Sequence, residues 1–71
     1  MSTKDLANLR KQIISDSVKR LNLLGFKNVN ELNIFEDDVY RVYFLRILLG
    51  NLGGDANHDL MIKEIILEIA Q

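Results

Sequence analysis

Apolar residues recur at steps of three and four through the first third of the chain, at Leu6, Leu9, Ile13, Ile14, Val18, Leu21 and Leu24. That spacing gathers them on one side of an α-helix and predicts an amphipathic helix over about residues 4–24. Ser2 or Thr3 suits its N-cap, Asp5 suits the positive end of the helix dipole, and Lys19 and Arg20 suit the negative end. Gly25 is placed to close it. The next eight residues, Phe26-Lys27-Asn28-Val29-Asn30-Glu31-Leu32-Asn33, have no such period. Their asparagines favour Asx-turns. They read as a linker pinned to the core by Phe26, Val29 and Leu32.

The pattern then changes. From Val39 to Leu49 the apolar residues point in every direction around a helix, and only Arg41 and Arg46 interrupt them. Glu36, Asp37 and Asp38 form an acidic start and Gly50 a stop, so a helix over 36–49 is expected, with a strand over 39–44 as the rival. A helix apolar on all sides calls for cover on all sides. In so short a chain that cover comes from tight wrapping, from a second copy, or from a partner.

Gly50-Asn51-Leu52-Gly53-Gly54-Asp55 reads as a turn, and Asp55 or Asn57 as the cap of a third helix over 57–70. Its main stripe, Met61, Ile62, Ile65, Ile66 and Ile69, spans roughly 140° of the wheel. Leu60 and Leu67 lie on the opposite side, about 20° apart, beside Lys63 and Glu64. A helix with a second apolar strip has the form of one that touches two neighbours.

The expected fold is therefore all-α, one small domain over residues 1–71 with three helices, completed by homodimerisation. Composition agrees. Proline is absent, hydrophobic residues make up 48% of the chain, and there is no cysteine to supply a disulfide or a thiolate metal site. Small domains have marginal cores, and oligomerisation is the staple that remains open to this one. The contact is expected to use Tyr40, Tyr43, Leu60, Lys63 and Leu67, because aromatic residues concentrate in interfaces and the two leucines have no place in a single core.

Charge changes the picture little. The net charge is −1. Residues 1–28 carry six basic residues against two acids, and residues 29–71 carry three against eight. The plainer reading is that the halves complement each other. The alternative is a basic surface for phosphates formed by Arg10, Lys11, Lys19, Arg20 and Lys27. With 3.6 residues per turn, the four on the first helix point in four different directions and do not share a face.

Candidate chemistry fails on inspection. Asp55, Asn57 and Asp59 match the first ligand positions of a calcium loop. The loop's obligatory glycine is replaced by Leu60, and its closing glutamate by Ile66. His58 has acids beside it and no nucleophile. The glycine-rich turn precedes a helix, as phosphate loops do, but lacks the Lys-Ser/Thr pair and follows a helix rather than a strand. Helices two and three have the separation of a helix-turn-helix, yet the third offers one lysine and three acids to DNA. No enzyme activity, cofactor or metal is expected.

The N-terminus has no uninterrupted apolar core of a signal peptide, and the longest apolar run is broken by Arg46. A cytoplasmic protein with no membrane partner is the expectation. Its expected role is a non-enzymatic protein–protein interaction module (an adaptor, inhibitor or assembly factor) that docks through an apolar helix face. The alternative is a dimeric nucleic-acid-associated regulator using the basic first helix.

Overall fold

Three helices account for the apolar periodicity. The computed structural model describes residues 3–70. It contains α1 (Thr3–Leu23), α2 (Asp38–Gly50) and α3 (Ala56–Ala70), with no strand among the described residues. Residues 39–44 are helical, so the strand alternative does not hold. None of the helices is long and apolar enough to cross a membrane.

Three of the boundaries have a local cause. At the end of α1, the Phe26 N–H donates to the Leu21 carbonyl and the Gly25 N–H to the Asn22 carbonyl, both at 3.1 Å. That crossed pair is the Schellman motif, and it needs a left-handed residue, here Gly25 with φ +108°. At the start of α2, the Asp37 carboxylate accepts from the Val39 and Tyr40 N–H groups. Asp37 is thus the cap, and the helix begins at Asp38 rather than at 36. Asp55 caps α3 by accepting from the Asn57 and His58 N–H groups. The Ser2 alternative for capping α1 lies outside the described residues.

The contacts fix the topology. The short turn 51–55 folds α3 back on α2. Arg10 pairs with Glu68, and Arg20 reaches Asn51 at the far end, so α1 runs with α2 and against α3. The linker between α1 and α2 must therefore return along the bundle. It does so as part of the core. Val29 and Ile34 are buried, Phe26 and Phe35 half-buried, and Phe35 meets Phe44 edge-on at 5.7 Å. Asn30 and Asn33 hold its bend. The Asn30 carboxamide oxygen accepts from the Leu32 and Asn33 N–H groups, and the Asn33 oxygen accepts from the Asn30 N–H. Leu32, expected to tuck inward, is 84% exposed. It sits on the outside of that bend, and Ile34 takes the inward place.

Ile13, Ile14, Val18 and Leu21 of α1 and Met61, Ile62, Ile65 and Ile69 of α3 close the core around Phe44 and Leu48. Ser17 is the buried polar member, and its hydroxyl donates to the Ile13 carbonyl at 2.8 Å. At about 1.5 Å per residue, α1 is roughly 10 Å longer than α2 and α3. Its first turns overhang, which leaves Leu6 partly exposed although it belongs to the apolar stripe.

This packing can be checked at two residues. Leu48→Asp places an unpaired charge in the core and should unfold the protein, read as loss of helical circular dichroism. Gly25→Ala should cost about 1 kcal/mol in urea unfolding, because alanine is strained at that φ.

Candidate interaction surface

α2 has two unlike faces. Phe44 and Leu48, one turn apart, enter the core and are fully buried. Val39, Val42, Arg46 and Leu49 follow at steps of three, four and three, which at about 100° per residue puts them nearly opposite. They are exposed: Val39 and Val42 at 54% and Leu49 at 56%. The expected all-round burial is not achieved within one chain. A helix packed against two neighbours turns only part of its circumference inward, and among the described residues the outer side stays more than half exposed at Val39, Val42 and Leu49.

Tyr40 and Tyr43 line the flank of α2 that meets the linker. The Phe26 ring stands edge-on to Tyr40 at 6.0 Å and tilts over Tyr43 at 4.8 Å. Tyr40 is half-buried there, whereas Tyr43 keeps an exposed edge beside the outer stripe. On the other flank, Asp38, Arg41, Val42 and Leu45 face Ile69 and Ala70 of α3 across a shallow open groove. Arg41 and Asp38 form an ion pair on its rim.

Leu60 and Leu67 are 56% and 64% exposed on the outer side of α3, with Lys63 exposed between them. The five residues expected at a contact thus occupy two places. The tyrosines lie on the linker side of α2, and Leu60, Lys63 and Leu67 lie on the outer side of α3. Sequence reasoning missed the stripe Val39, Val42 and Leu49. Its spacing is visible there, but in a segment apolar on every side it has no polar contrast to mark it.

The basic residues of the first third are not gathered. Arg10 donates two hydrogen bonds, at 2.7 and 2.8 Å, to Glu68, and Arg20 donates to Asn51 at 3.0 Å. Lys11, Lys19 and Lys27 are exposed at separate positions. The Arg10–Glu68 pair joins the basic first third to the acidic C-terminal part, in line with complementary halves.

The glycine-rich turn carries its own anion. The Asp59 carboxylate accepts from the Gly53 N–H at 3.1 and 3.2 Å and from the Gly54 N–H at 3.4 Å. Glycine at position 53 is required, because its φ is +104°. Those amides, which a phosphate would need, are already satisfied. Asp55 and Asp59 thus turn to separate backbone donors instead of converging on an ion. Among the described residues no group of three His, Cys, Asp or Glu side chains is placed to hold a metal. His58 lies 3.8 Å from Asp59 at the same turn.

No protein-family model, curated protein or solved structure matches this chain.

The polar contacts predict unequal costs. Asp59→Ala removes the acceptor of two turn amides and should lower stability by about 1–2 kcal/mol. Glu68→Gln breaks an exposed ion pair and should cost less than about 1 kcal/mol. Urea unfolding of both variants beside the parent checks the ranking.

Proposed function

We propose that this chain is a non-enzymatic protein-interaction module that docks through the outer face of α2. The observation that carries the reading is the exposed stripe Val39, Val42 and Leu49, with Tyr43 at its edge. Scattered apolar residues are ordinary on protein surfaces, whereas an aligned set on one helix face is the form helix-mediated recognition takes. Val39, Val42 and Leu49 also stand outside the buried core, which the opposite face of α2 enters through Phe44 and Leu48. Arg46 lies within the stripe and adds the kind of charged, long-stemmed side chain that interfaces favour.

The acids and the histidine around 55–59 support capping and turn formation better than catalysis. Leu60, Lys63 and Leu67 on α3 offer a smaller second patch that would serve an adaptor joining two chains.

The test is the apparent mass of epitope-tagged protein in an extract of the cells that make it. Val42→Lys with Leu49→Lys should keep the parent's helical circular dichroism and run at a smaller apparent mass. Equal masses for variant and parent would contradict docking through this face.

A further inference from the structure

Resting on that reading, we propose that the occupant of the α2 face is a second copy of this chain. The two α2 helices pack antiparallel across a two-fold axis level with Phe44. The steps of three, four and three between Val39, Val42, Arg46 and Leu49 are those of a two-heptad seam, the spacing by which two helices interlock along their length. In an antiparallel pair centred at residue 44, Val39 lies opposite the partner's Leu49, and Val42 lies opposite the partner's Arg46. Both copies then use the same patch, which is what a closed two-fold contact requires.

Charge selects the direction. Arg46 is the one charge within the seam. A parallel pair would set the two Arg46 side chains side by side. An antiparallel pair lays each Arg46 stem over the partner's Val42. The helix dipoles are then also opposed favourably. The seam is thus apolar except for Arg46, which lies two residues to one side of its centre. Such a pattern complements itself only when reversed.

Area sets the strength. A stable interface buries about 800 Å² per partner. The chain's whole accessible surface is 4954 Å². A seam 13 residues long spans about 20 Å. It reaches the required area only with its flanks, Tyr43 on one side and Leu45 on the other. The dimer should therefore form and dissociate with concentration.

The chain has no cysteine, so disulfide trapping is clean. In purified, mildly oxidised protein, Val39→Cys alone and Leu49→Cys alone should stay uncrosslinked. An equimolar mixture of the two should give a covalent dimer. Light scattering of the parent should show the mass rising from monomer to dimer between micromolar and near-millimolar concentration. Val42→Lys, which sets a lysine against the partner's Arg46, should abolish that rise while retaining helix content. A parent that stays monomeric throughout overturns the proposal, and so do single variants that crosslink to themselves as readily as the mixture. If the purified parent is monomeric but the complex in extract still depends on Val42 and Leu49, the second copy is excluded and docking on another protein stands.

Discussion

A helix in a three-helix bundle can turn only part of its circumference toward the core, and α2 is apolar on nearly all of it. The rest of the structure follows from that mismatch. Phe44 and Leu48 take the inward side, where α1, α3 and the returning linker surround them. Tyr40 and Tyr43 meet Phe26 on one flank, and Leu45 borders the groove to α3 on the other. What remains is a strip of valine and leucine in water. Fully burying such a side chain is worth about 1.5–3 kcal/mol, and with Val39, Val42 and Leu49 at 54–56% exposure roughly half of that is forgone at each. Leaving several exposed in a domain this small is a substantial forgone stabilisation, and it is the physical ground for reading the strip as a docking face.

The linker does more than connect. Because α1 and α2 run the same way, the chain must cross back the length of the bundle. Val29, Ile34, Phe26 and Phe35 make that crossing a fourth wall of the core. Its bend is held by the Asn30 and Asn33 side-chain amides together with backbone turn bonds such as that from the Ile34 N–H to the Asn30 carbonyl, which is why asparagine is so frequent there. The same economy appears at the other turn. Asp59 supplies the acceptor that the Gly53 and Gly54 amides need, so a sequence resembling an anion-binding loop is closed by its own carboxylate.

The helices are legible in the sequence because their signals are strong and local. A long stripe at steps of three and four with Gly25 behind it has one reading, and α1 ends within a residue of the expected place. α2 starts two residues later than expected, because an acid before a helix serves equally as cap or as first turn, and only the Asp37 hydrogen bonds decide which. Ile34 and Phe35 are not legible as core, since isolated apolar residues among polar ones carry no period. Leu32 looks equivalent and is exposed. On α3, Leu60 and Leu67 stand out because they break a clean stripe. On α2 the outer face cannot stand out, because every face there resembles core, and only the packing reveals which side is left over.

The central claim is that the two faces of α2 have separate tasks, the inner one folding and the outer one, as we propose, docking on a second copy of the chain. The most direct measurement follows backbone amide chemical shifts of the purified protein from micromolar to near-millimolar concentration. The account predicts that shifts move at Val39, Val42, Tyr43, Arg46 and Leu49 while those of Phe44 and Leu48 keep the dispersion of a fixed core. Shifts that move instead around Leu60 and Leu67, or nowhere at all, would contradict it.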